Sequence, residues 1–154
     1  MTVPPPKSAD NRRVMARIMT HEVLRGLAAM ARVGGGDMIQ FLVFSGIWSA
    51  NTQHLLGIRM RYAEQNDIPP DSQRRPIPQE DLVHMLCMPR DIVARYVEQL
   101  AQGGLVERVP GGLVVPAAVF TRPEMLDGNN ELYARVMSMV TALRGVGFSF
   151  GEPA

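Results

Sequence analysis

This 154-residue chain has one cysteine, one lysine, no long apolar run and no marked excess of either charge. Cys87 alone cannot form an internal disulfide, so a reducing, cytoplasmic setting is the expectation. The longest apolar stretch, Met38 to Trp48, is broken by Gln40, Ser45 and Gly46. It falls short of the roughly 18–20 residues that span a bilayer, so no membrane partner is expected. The opening MTVPPPKSADNRR lacks the apolar segment of a signal peptide. A formal net charge of +1 excludes a broadly basic surface. The charge is unevenly spread, however. Residues 1–33 carry six basic against two acidic side chains, residues 76–122 four against five, and residues 123–154 two against four.

Catalytic signatures are also missing. His21-Glu22 opens like a zinc-protease motif, but Arg25 stands where the second histidine is required. Gly34-Gly35-Gly36 lacks the lysine and hydroxyl of a phosphate-binding loop. No nucleophile elbow is present. His84 and Cys87 are spaced i, i+3 but have no third ligand nearby. Cys87 is expected as a small buried hydrophobe, and the eleven methionines as core filling. Neither an enzyme nor a bound cofactor or metal is expected.

The informative stretch is Ile77 to Pro116. Pro78 suits a helix start, and Gln79, Glu80 and Asp81 place acceptors beside the free amides there. Leu82, Met85 and Leu86 give this short helix one apolar face. Cys87-Met88-Pro89 breaks it, and Pro89 restarts a helix. Ile92, Val93, Tyr96, Val97 and Leu100 form the buried stripe of the second helix. Asp91, Ala94, Arg95 and Glu98 occupy its other face, with Arg90 leading. Gly103-Gly104 ends it and lets Leu105 fold back. Leu105–Val109 and Leu113–Val115 read as strands around a Pro110-Gly111-Gly112 tip.

A helix, a turn, a second helix and a hairpin in that order resemble a bacterial winged helix-turn-helix regulator. The likeness is most specific to the cyclic-AMP receptor protein family, whose second helix opens close to S-R-E-T-V-G-R before an apolar stripe and G-L-I. Here Pro89-Arg90-Asp91-Ile92-Val93-Ala94-Arg95 stands in that register, with Gly104-Leu105-Val106 at the matching distance. Asp replaces Glu, and the likeness is confined to this module. MarR-like and GntR-like regulators share the same grammar. The resemblance implies a transcription regulator that binds double-stranded DNA, with the helix over residues 90–102 in the major groove. It places Arg90, Asp91 and Arg95 against base edges or nearby phosphates, where arginine can grip guanine and a carboxylate can accept from cytosine. Arg108 and the backbone of Gly111 and Gly112 would track the DNA backbone or minor groove. Gln79, with Arg74 and Arg75, would anchor phosphates. Glu98 and Glu107 oppose such contacts, as carboxylates repel phosphates.

The expected architecture is mainly α with a small β-hairpin wing, a winged helix-turn-helix with flanking helices. An extended, disordered arm covers residues 1–10 and a helix residues 11–36. The main domain, 37–122, includes a long first helix capped by Asp37 and running from Met38 toward Asn66, with a bend near Ser49–Asn51. A C-terminal helix and tail occupy 123–154, the helix capped by Asn129 or Asn130 and lined by Leu132, Val136, Met139, Val140 and Leu143. So much apolar helical surface beside a small module is the pattern expected of a homodimer. Two alternatives remain open: a protein–protein module on the same scaffold, and a sensor holding a small apolar effector along the long helix.

Overall fold

Three consecutive glycines decide how the first two helices meet. In the computed structural model, which describes residues 10–58 and 60–149, α1 (Arg12–Val33) ends at Gly34. Gly35 and Gly36 take φ values of +96° and +91°. Their amides return to Arg32 O and Ala31 O at 3.2 and 2.7 Å, closing the last turn as positive-φ residues do. The axis then bends by 94° into the next helix. No single helix among the described residues is long and apolar enough to cross a membrane.

Asp37 caps α2 (Met38–Thr52), its Oδ1 accepting from Ile39 N and Gln40 N at 2.9 and 3.0 Å. Its Oδ2 accepts the Tyr96 hydroxyl at 2.9 Å, joining this cap to α4 (Arg90–Gln102). The Gln40 amide is the largest influence holding the Asp37 carboxyl below its ordinary pKa; partial burial opposes it, and Tyr96, Ile39 and Arg95 add to the lowering. A carboxyl whose folded value is depressed stabilises fully above the unfolded value of about 3.9, and that contribution is lost as pH falls through the folded value. Asp37→Ala is therefore expected to cost about 1 kcal/mol at neutral pH. Denaturant titrations of the variant should also show a shallower loss of stability below pH 4 than the parent. Equal acid slopes would remove Asp37 from the account.

The helix expected to reach Asn66 stops at Thr52. A single 3-10 turn follows, Gln53–Leu55, and Met60 and Tyr62 adopt left-handed φ values of 62° and 55°, which no helix accommodates. Asn51 is the physical reason. Its side chain is fully buried and turned away from the helix course: Nδ2 donates to Arg75 O (2.8 Å) and Leu113 O (3.0 Å), and Oδ1 accepts from Val115 N (2.9 Å). The backbone joins in, with Arg75 N donating to Asn51 O at 3.0 Å.

After a second 3-10 turn, Asp71–Gln73, come α3 (Gln79–Leu86) and α4. Val43, Phe44 and Ile47 of α2 share one core with Leu82 of α3 and with Val93, Tyr96, Val97 and Leu100 of α4. Gly46 permits the close crossing of α2 and α3, since a Cβ there would sit 2.9 Å from Leu82 Cδ1. Leu82, Val83 and Leu86 make the inward face of α3, while Met85 is 45% exposed; the eight-residue helix turns it to solvent. Cys87 is exposed, not buried, because the chain reverses through it at φ +52°.

At the end of α4, Gly104 (φ +67°) and the 2.9 Å bond from Leu105 N to Leu100 O fold the chain back, as expected. β1 (Glu107–Val109) and β2 (Gly112–Val114) then pair antiparallel, Val109 opposite Gly112. The first strand is shorter than expected and the second begins one residue earlier, so Gly112 belongs to the ladder and not to the tip. Ile77 adds a further bridge: it exchanges both backbone hydrogen bonds with Leu113, at 3.1 and 2.8 Å. At Gly112 (φ +140°) a Cβ would collide with the Ile77 carbonyl, so only glycine fits.

A 3-10 turn, Ala117–Thr121, leads to α5 (Pro123–Gly145). This helix starts at Pro123, ahead of the expected Asn129 or Asn130 cap, because proline's fixed φ and missing amide suit a first turn. It runs antiparallel to α1: Gly128 lies beside Val33, Gly26 beside Arg135, and Asn11 Nδ2 donates to Val146 O at 3.2 Å. The two segments expected as separate flanks therefore form one helical pair. The arm expected over residues 1–10 lies outside the described residues except for Asp10, as does the tail from 150 onward. The described residues are thus mainly helical (66%) with a small two-stranded antiparallel hairpin.

Candidate functional site

α4 buries its apolar stripe against α2 and α3 and leaves the opposite arc open. Along that arc lie Arg90, Asp91, Arg95 and Glu98, all exposed, with Ala94 between them. No described part of α5 packs over it in the way α5 packs on α1 and on the 117–121 turn.

Some of the charges on this surface are paired. Arg90 Nη2 lies 2.6 Å from Glu80 Oε1, and His84 Nε2 is 3.6 Å from the same oxygen. Arg108 bridges three elements, its Nη1 meeting Gln79 Oε1 at 3.5 Å and its Nη2 facing Glu98 Oε2 at 3.6 Å. These are exposed pairs, each worth about 0–1 kcal/mol, so a stronger anion can displace them. Arg95 leans toward the start of α2, its guanidinium carbon 5.2 Å from the Tyr96 ring centroid. The Tyr96 phenol is raised above its ordinary value, first because Asp37 accepts its proton in a hydrogen bond.

The structure therefore brings Gln79, Arg90, Asp91, Arg95 and Arg108 to one side of the α3–α4–hairpin unit. Gly111 is exposed at the tip with φ +96°, and a Cβ there would meet Pro76 at 3.7 Å. Gly112 is held against Ile77. Arg75 is exposed, although its backbone is fixed by Asn51.

Arg74 is the correction. Its side chain is 1% exposed and cannot reach a phosphate on the surface. The guanidinium carbon lies 5.0 Å from the Phe120 ring centroid, and Nη2 donates to Pro69 O at 2.9 Å. Two consecutive arginines look identical in sequence, but the extended backbone at Arg74 points alternate side chains to opposite sides. Arg74 points inward and Arg75 outward.

Asn51 carries no sequence signal beyond its place near the expected bend of the long helix. Along that helix, where a small apolar effector was one of the expectations, lies a cleft of about 870 Å³ between α2, the 62–69 loop and the start of α5, lined in part by Phe44, Trp48, Tyr62, Arg74, Phe120 and Met125. Among the described residues no group of three or more His, Cys, Asp or Glu side chains is placed to hold a metal ion. Compared with protein-family models, curated proteins and solved structures, the chain matches none.

Proposed function

We propose that the α3–α4–hairpin unit is a winged helix-turn-helix and that the protein binds double-stranded DNA as a transcription regulator. The observation that carries this reading is the uncovered polar arc of α4. Arg90, with its side chain 73% exposed, and Arg95 stand on a helix braced from behind by α2 and α3 and flanked by a hairpin. A helix presented in this way fits the major groove, with Arg90, Asp91 and Arg95 facing base edges and Arg108 and Gly111 facing the adjacent backbone. Arg75 and Gln79 would fix the register through phosphates.

The same reading includes a homodimer. α1 and α5 expose Met19, Val23 and Leu24, and Tyr133, Val136 and Met137. The antiparallel register places Val23 and Leu24 level with Val136 and Met137. Apolar side chains gathered on paired helices are what a second copy would cover. Val136→Glu with Met137→Glu should convert a dimer to a monomer in light scattering while the helical circular dichroism is retained, with a thermal midpoint that no longer rises with protein concentration. A wild-type chain that is monomeric at micromolar concentration would exclude the dimer.

Selection from a random duplex pool tests the main proposal. Enrichment of a palindrome with half-sites about one helical turn apart, roughly 34–36 Å, is the expected result. No enrichment, together with binding insensitive to salt, would exclude DNA and favour the same scaffold as a protein–protein module. The near-neutral module predicts a shallow salt slope in the specific complex, because few phosphates are met by unpaired cations.

A further inference from the structure

The cleft beside α2 holds a buried cation against an aromatic wall, while the exposed Glu64, Asp67 and Glu124 and the partly exposed Arg122 also line it. Arg74 has almost no solvent contact, and its Nε and Nη1 have no hydrogen-bond partner among the described residues. Asp71 Oδ1 lies 3.5 Å from Nε, but that oxygen already accepts from Ala117 N at 2.7 Å and the Asp71 side chain is 69% exposed. Burial pushes the Arg74 pKa below its ordinary value, against the pull of Asp71. A buried charge with donors left unmet is costly, and a second charge that satisfies them relieves that cost. Around it the chemistry is aromatic: Phe120 covers the guanidinium, Trp48 packs on Phe120 at 5.1 Å between ring centroids, and Phe44 lies 6.3 Å from the same ring. A volume of about 870 Å³ lies within the range of small-molecule sites, roughly 300–1,000 Å³.

From this arrangement we infer that the cleft is a binding site for a small organic carboxylate, its apolar body against Trp48, Phe44 and Met125 and its carboxylate turned to Arg74. An uncharged apolar molecule would fill the space but leave the guanidinium donors unmet. An inorganic anion would meet the donors but leave the aromatic wall uncovered. The inference rests on the cleft alone and stands or falls apart from DNA binding.

Trp48 is the only tryptophan, so its fluorescence reports on the cleft directly. The probes are 4-tert-butylbenzoate and the uncharged 4-tert-butylbenzamide, titrated into the full chain without DNA. Saturable binding of the acid at least about tenfold tighter than the amide is expected, and Arg74→Gln should abolish that difference. Ser45→Phe, which narrows the cleft from α2 without touching Arg74, should weaken the acid and provides the test if Arg74→Gln does not fold. Acid and amide binding equally, no saturation by the acid, or acid binding unchanged in either folded variant would overturn the site.

Discussion

Asn51→Leu is expected to destabilise the protein by about 3–5 kcal/mol, since it strips partners from more than one buried polar group. Asn51 makes three side-chain hydrogen bonds in a fully buried position. Removing its amide leaves Val115 N and Arg75 O without a side-chain partner, and a buried polar group left unmet costs about 1–3 kcal/mol. Leu113 O is less affected, since it also accepts from Ile77 N. Against a total stability of roughly 5–15 kcal/mol, this is a large fraction. Denaturant unfolding should show a lower midpoint with an unchanged slope, since the same surface is exposed on unfolding. Asn51→Asp should be nearly as damaging: Oδ1 still accepts from Val115, but a carboxylate oxygen then faces two carbonyl oxygens. A loss of less than about 1 kcal/mol in Asn51→Leu would mean that water or a neighbour replaces these bonds.

The second large effect concerns binding. Arg90→Ala combined with Arg95→Ala is expected to lower specific DNA affinity by about 2–6 kcal/mol, taking roughly 1–3 kcal/mol for each base-directed arginine. The fold should be nearly unaffected, because the Arg90–Glu80 pair is exposed and worth about 0–1 kcal/mol. Glu80→Gln should act in the opposite direction. It releases Arg90 from a carboxylate 2.6 Å away and removes a negative charge that would face phosphate. Affinity rising in Glu80→Gln and collapsing in the double variant, with equal thermal midpoints, is the signature of a contact surface. Equal affinity in all three proteins would exclude the α4 arc as the interface.

The difference between these two predictions shows what kind of information sequence carries. The alternation along 90–102 placed Arg90, Asp91, Arg95 and Glu98 opposite Val93, Tyr96, Val97 and Leu100, and they are so placed. Helical period is a local property, and one helix face is set by its own residues. The cap at Asp37 and the fold-back of Leu105 were legible for the same reason: a cap is a matter of adjacent residues. Asn51 was not legible, since its three partners lie 24, 62 and 64 positions away. The end of α2 was misplaced as a result, because an apolar stripe continues past the point where a tertiary bond turns the chain.

The candidate site divides along the same line. That Arg90 and Arg95 share a surface could be read from their spacing. That Arg90 is held by Glu80, and Arg108 by Gln79 and Glu98, depends on how α3 and the hairpin dock against α4. Arg74 shows the limit most clearly: beside Arg75 it read as half of a basic pair, yet it forms the charged wall of an aromatic cleft. Local order of the chain determined where most helices lie, the Asp37 cap, the presence of the hairpin and the polar arc of α4, because each depends on neighbours within a few turns. Only the tertiary structure decided where α2 stops, that α1 and α5 pair, and which of two adjacent arginines is buried. Those outcomes depend on long-range hydrogen bonds and packing that no stretch of sequence contains by itself.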